Sequence, residues 1–421
     1  MRLVFIISLF LCGLAQAQEL SSTLKKGDLA YEGFDYEEAI FHYTRAKSDS
    51  LPYQRKLADS YWKLNKTEDA ERIYAAIMVN EKKSAWDIFH YACILRENGK
   101  TSESEDWMQK FSRLKEGQDS RAVTYSFKKG HYTGLMEDKG QFVITPLESN
   151  SKQQDFGLVF YKDKVVFTSS RPRSTGVKRS YNRNGLPFLD IYEAEEEGNK
   201  LIEIKPLSKD VNGKYHEGPV TFNAAGDLMI FTRNRYDTIA EGVKVVLELW
   251  SSKLVDGKWQ EPVSLPFNKP NYSFAHPSLS SDGKWLFFAS NMPGGYGGVD
   301  IYKCEINPDG SYKEPINMGQ KVNSEGNEMF PVIHPDNDLL FYSSDGKYGI
   351  GGLDIFAVEI NSFYVSGRVR NLGAPLNSPK DDFFLTLDKD KKTGYFSSNR
   401  EGGKGSDDIY KVNLVKSISF D

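Results

Sequence analysis

The sequence predicts a multidomain protein, α-helical and then all-β, with tetratricopeptide-like helical repeats followed by a five-bladed β-propeller. Two periods predict it. Between Val165 and Tyr410 one motif recurs five times: a Phe/Tyr-rich run, a polar end such as Ser-Ser-Asn, a glycine loop, and an acid opening a strand such as Asp-Ile-Tyr. That acid falls at Asp190, Glu248, Asp300, Asp354 and Asp408, in steps of 58, 52, 54 and 54. A spacing near fifty with several short strands per unit is the mark of propeller blades. Upstream, small residues at Gly27, Ala58 and Ala92 come in steps of 31 and 34, the period of helix–turn–helix repeats.

Residues 1–17 read as a secretory signal peptide. Arg2 supplies the positive start, Leu3 to Leu14 the apolar run, and Ala15-Gln16-Ala17 the cleavage site. Leu11 before Cys12 is too large for a lipidation site, and no later stretch approaches the roughly 20 apolar residues of a membrane span. A net charge of −4 argues against a global affinity for nucleic acid or anionic membranes. Cys93 and Cys304 lie in apolar runs and read as buried free thiols.

Residues 18–118 form the helical domain. Gly27, Tyr31, Tyr36, Ala39, Tyr43 and Ala46 mark the first repeat, Ala58, Tyr61, Ala70 and Tyr74 the second, and Ala92, Gly99, Ser104 and Phe111 the third. Small residues let paired helices approach, and aromatics fill the space between pairs. Such an arm is either a cap on the propeller or a docking surface. Glu116 to Lys129 is polar, contains Gly117 and lacks a clear apolar period, so it reads as the connection between the domains.

Residues 119–421 form the propeller. Asp-Gly and Pro-Asp pairs, as in Ser281-Asp282-Gly283, tolerate the positive φ of hairpin turns. Asn150, Asn212, Asn268, Asn323 and Asn377 form a second register, followed five residues on by Asp155, Glu217, Ser273, Glu328 and Asp382. The first copy precedes any complete unit, so the N-terminal segment is expected to supply the outer strand of the last blade and close the ring.

Recurrence weighs against catalysis, because a catalytic group is needed once and a turn-former in every blade. Asp190, Asp300, Asp354 and Asp408 are therefore expected to accept backbone hydrogen bonds from the glycine loops, with Arg171, Arg235 and Arg400 pairing with them. Asp155, Glu217, Glu328 and Asp382 either stabilise their own turns or ring a channel mouth. The glycine loops lead into strands, not helices, which argues against phosphate binding. The histidines lack metal-ligand spacing, and no nucleophile elbow is present. No catalytic residue, metal or cofactor is expected. Blade 1 breaks the repeat with an insertion bearing Arg173, Lys178, Arg179, Tyr181 and Arg183, a basic aromatic loop that is a candidate partner-binding site.

The stretches Asn323-Ser324-Glu325-Gly326-Asn327-Glu328, Gly351-Gly352-Leu353-Asp354-Ile355-Phe356 and Tyr395-Phe396-Ser397-Ser398-Asn399-Arg400 carry a family likeness. With the leader and helical repeats, the chain resembles periplasmic OmpA-family proteins of Bacteroidetes that join tetratricopeptide repeats to a WD40-like β-propeller, the PorE-like group associated with type IX secretion. The resemblance implies a periplasmic scaffold or adaptor, associated with the outer membrane through protein partners in a secretion or gliding complex. It does not imply peptidoglycan binding, because 13 residues follow Asp408 where that family continues into an OmpA-like domain. The competing readings are a binding module for a glycan, peptide or peptidoglycan fragment at the propeller mouth and, least supported, a glycoside hydrolase or lyase.

Overall fold

The computed structural model describes residues 20–32, 35–128, 132–172, 187–239 and 242–420. Residues 1–17, expected to be a signal peptide, and the blade-1 insertion residues Arg173, Lys178, Arg179, Tyr181 and Arg183 lie outside the described residues. The chain forms two compact units, one built on residues up to Leu114 and the other on Lys115–Ser180, Leu186–Arg235 and Val246–Asp421.

The first unit is three helical hairpins: α1 (20–32) with α2 (Tyr36–Ala46), α3 (Leu51–Lys63) with α4 (Thr67–Met78), and α5 (Ala85–Glu97) with α6 (Thr101–Leu114). The small residues do what their period requires. Ala39, Ala58, Ala70 and Ala92 are fully buried. A Cβ on Gly27 would stand 2.6 Å from the Tyr43 ring, so glycine lets α1 lie directly on that aromatic. Successive hairpins are tied by polar bonds. Arg55 grips Asp87 with two nitrogens at 2.7 and 2.6 Å, and Asp87 completes a capping box with Ser84 at the start of α5.

The second unit opens on the connecting stretch, in which no apolar period was read; it is helical, as α7 (Ser120–Lys128) and then α8 (Tyr132–Met136). Ala122 and Tyr125, three residues apart on one face of α7, are buried. The Tyr125 ring lies 6.3 Å from Tyr348, and the Ser120 N–H donates to the Glu325 carboxylate at 2.8 Å. Helix α7 is strongly amphipathic, so its helical period is present in the sequence and is passed over because the stretch is short.

Five antiparallel sheets follow. After β1 (Phe142–Pro146), which belongs to the last sheet, blade 1 is β2 (Asp155–Tyr161), β3 (Lys164–Ser169), β4 (Asp190–Glu197) and β5 (Lys200–Pro206). Blade 2 is β6 (Glu217–Phe222), β7 (Leu228–Ile239), β8 (Gly242–Val255), with β9 (Lys258–Trp259) and β10 (Val263–Ser264) both on β8. Blade 3 is β11 (Phe274–Leu279), β12 (Trp285–Ser290), β13 (Asp300–Glu305) and β14 (Ile316–Asn317). Blade 4 is β15 (Glu328–Ile333), β16 (Leu339–Ser344) and β17 (Asp354–Asn361), with β18 (Tyr364–Val365) and β19 (Arg370–Asn371) on β17. Blade 5 is β20 (Asp382–Leu387), β21 (Thr393–Ser398) and β22 (Asp408–Leu414), and its outer strand is β1, paired from Phe142↔Leu414 to Pro146↔Tyr410.

The ring closes as the early Asn copy implied. Inner strands β2, β6, β11, β15 and β20 each pack on the next, and β20 returns to β2. Every inner strand carries a bulge two or three residues from its start, where the register shifts. The bulge residue is left-handed at Gly157, His276, Phe330 and Phe384.

Candidate functional site

The repeated polar residues form one network per blade. Each Asn of the second register clamps the third strand of the blade before it, through both atoms of its amide. Asn212 accepts from Ile191 N and donates to Ile191 O, both at 2.8 Å. Asn268 does so on Leu249, Asn323 on Ile301, Asn377 on Ile355 and, across the ring closure, Asn150 on Ile409. Each target follows the acid of the Asp-Ile-Tyr position.

Those acids serve the glycine loops. Asp300 accepts from the N–H groups of Tyr296 at 2.6 Å and Gly297 at 3.2 Å, and from Asn317 at 2.7 Å. Asp354 accepts from Ile350, Gly351 and Asn371, and Asp408 from Lys404 and Gly405. Asp190 is buried at the start of β4, and the loop before it lies outside the described residues.

The arginines pair otherwise than expected. Arg171 reaches Asp155 at 2.8 Å and Arg400 reaches Asp382, the inner-strand acids, and only Arg235 meets the acid of its own third strand, Glu248. The register explains it: Asp155 lies opposite Ser169 and Asp382 opposite Ser398, two residues before each arginine. Each guanidinium also covers rings, Arg171 over Phe167 at 5.0 Å and Arg400 over Phe396 at 5.0 Å. In blade 2, Arg233 takes this place beside Glu217, its Nε 3.1 Å away.

Asp155, Glu217, Glu328 and Asp382 are fully buried and present no carboxylate to solvent. Asp155 accepts from the Ser169 hydroxyl and the Ser151 N–H, and Asp382 from the Ser378 N–H. Blade 3 departs from the pattern. Phe274, not Ser273, occupies the acid's place, since it opens β11 opposite Ser290 as Glu328 opens β15 opposite Ser344. One extra residue after Asn268 shifted the count.

Around the axis the bulges meet. His276 stacks on Phe330 at 3.8 Å, Phe330 on Phe383 at 4.7 Å, and Phe383 lies 6.0 Å from Phe156. Burial drives the His276 imidazole down to about 3, so it is neutral there.

On the hairpin side, His334, Asp336 and Asp338 place ligand-type atoms within 4.8 Å of one another, an alternating His-x-Asp-x-Asp spacing that the sequence reading of the histidines missed. The Lys391 ammonium already bridges Asp336 at 3.1 Å and Asp338 at 2.6 Å, supplying the positive charge that such a group attracts. It ties blade 4 to blade 5. Among the described residues no helix is long and apolar enough to cross a membrane.

No protein-family model matches the chain. No curated protein matches it either. Among solved structures it is similar to TolB from Acinetobacter baumannii, at 15% identity and a TM-score of 0.35 over 76% of this chain and 61% of that one. It is similar to the RS223 β-xylosidase at 9% identity and a TM-score of 0.40, over 66% of this chain and 96% of the other. With Trypanosoma rangeli sialidase the values are 10% and 0.36, over 67% and 58%. The chain thus spans about six-tenths of the Acinetobacter TolB chain, and likenesses this distant carry nothing about chemistry.

Proposed function

We propose that this chain is a periplasmic scaffold, not an enzyme, that joins protein components of an outer-membrane-associated complex. The signal peptide and the family resemblance support a place in type IX secretion or gliding. One observation carries the reading: the repeating acids are buried, and the repeating amides each clamp the third strand of the preceding blade, so both build the wheel and leave the outer surfaces to act. A rigid wheel presents loops at fixed positions, and binding on such a surface is concentrated in a few aromatic and Arg anchors.

The basic blade-1 insertion is the contact this reading selects. Recovery of the full chain from native envelopes should bring an outer-membrane or periplasmic protein with it. Changing Arg173, Lys178, Arg179 and Arg183 together to Ser should reduce that capture at least ten-fold while leaving the melting temperature nearly unchanged. Capture that survives the four changes removes the insertion from the reading. Isolation of the chain without any partner, joined to measurable binding of a peptidoglycan fragment, replaces the scaffold with a ligand-binding module.

A further inference from the structure

Glu328 stands alone among the inner-strand acids. Asp155, Glu217 and Asp382 each meet a guanidinium, from Arg171, Arg233 and Arg400. In blade 4 the position of Arg171 and Arg400, two residues past the serine that ends the second strand, is Gly346. It has no room for a side chain: a Cβ there would stand 2.0 Å from the Ser324 hydroxyl and 2.7 Å from the Gly326 Cα. Glu328 is fully buried with three neutral donors, the Ser324 N–H at 2.8 Å, the Ser324 hydroxyl at 2.5 Å and the Ser344 hydroxyl at 2.6 Å.

The same turn holds a helix. Glu325, next to Ser324, receives both the N–H and the hydroxyl of Ser120, the first residue of α7. The turn that Glu328 fixes from inside is the one on which α7 rests from outside. We propose that Glu328 is a proton-controlled latch for α7: ionising this carboxylate loosens the Ser324–Asn327 turn, and with it the support that Glu325 gives the helix.

The surroundings leave Glu328 to titrate by itself. Burial pushes the carboxyl up to about 7, only partly offset by the Ser324 and Ser344 hydrogen bonds and then by Lys347, the cation that faces it. Tyr342 is a buried phenol that the Glu328 charge drives further toward neutrality. Asp345 is engaged by Asn327 at 2.7 and 2.8 Å. From neighbouring strands, His276 stacks on Phe330, Asp300 holds its own loop and Asp382 meets Arg400. Glu325 is held below the usual range against its own burial by Ser120, with Arg121 adding to it. The linkage sign follows. A carboxylate raised in the closed turn stabilises closure fully below the open-state value near 4.5, and that stability is lost as pH rises through about 7.

Hydrogen exchange on the full chain, corrected for the intrinsic pH dependence of amide exchange, tests this. From pH 5 to pH 8 the protection of residues 121–128 and 324–328 should fall by about ten-fold or more, because each pH unit between the two pKa values is worth up to ten-fold in the opening equilibrium. Protection of α4 should hold over the same range. In Glu328→Gln the profile of α7 should be flat. Should that variant fail to fold, Glu325→Gln decides: it should weaken α7 at every pH and keep the slope. Constant α7 protection in the wild type, an unchanged slope in Glu328→Gln, or a slope abolished by Glu325→Gln would each overturn the proposal.

Discussion

Single residues here are worth most where they close a backbone account. Asn323 satisfies both the N–H and the C=O of Ile301 in a buried place. Asn323→Ala strands both, and the expected loss is about 2–3 kcal/mol by urea unfolding. Thr168 is the reverse case. At the equivalent contact between blades 2 and 3, the Thr232 hydroxyl accepts from His276 N at 2.9 Å, but the residue that would serve Thr168 is Pro219, which has no N–H. The Thr168 hydroxyl is buried without a partner, so Thr168→Val should be neutral or raise stability by about 1 kcal/mol. His276 adds a pH term. Its folded value is depressed to about 3, so its contribution is complete above the unfolded value of 6.5 and is lost as pH falls from there toward 3. His276→Phe should remove this component of acid unfolding and still fold, because Phe330 and Phe384 hold the same left-handed bulge. The Asn clamps and loop acids were legible because each blade repeats them with the same chemistry. The bulge was not, since Gly, Pro, His, Phe and Phe share none. Nor was the choice of acid by Arg171 and Arg400, which depends on what lies across a hairpin and not on what lies along the chain.

At the scale of elements, legibility followed length. Helices α1 to α6 repeat small and aromatic residues over whole hairpins; Gly99 sits in the exposed turn between α5 and α6 with a left-handed φ, whereas Ala39, Ala58, Ala70 and Ala92 are fully buried. Gly27→Ala tests that most directly: its methyl meets the Tyr43 ring at 2.6 Å, and the expected cost is about 1–3 kcal/mol, visible as earlier unfolding of the helical unit. Helix α7 is short but amphipathic, so its face could have been read; its contact to Glu325 comes from more than two hundred residues away, and nothing local announces that. Blade 3 hid its acid position by one added residue, which turned Phe274 into the core ring that packs against Phe288 at 5.9 Å.

The whole molecule depends on β1, which lies far from β22 in sequence and beside it in space. Removing Phe142–Pro146 should leave β22 with an open edge and convert a monodisperse protein into self-associating species, as measured by light scattering. This closure also imposes an order on biosynthesis. A growing polypeptide delivers β1 early and has nothing to pair it with until Leu414 has been made, so the final sheet assembles only after β22 has left the ribosome. A product terminated early would carry raw hydrogen-bonding margins at both extremities and would satisfy them with a second copy of itself. Premature stops in this gene should therefore be felt as clumping, not as a smaller working part.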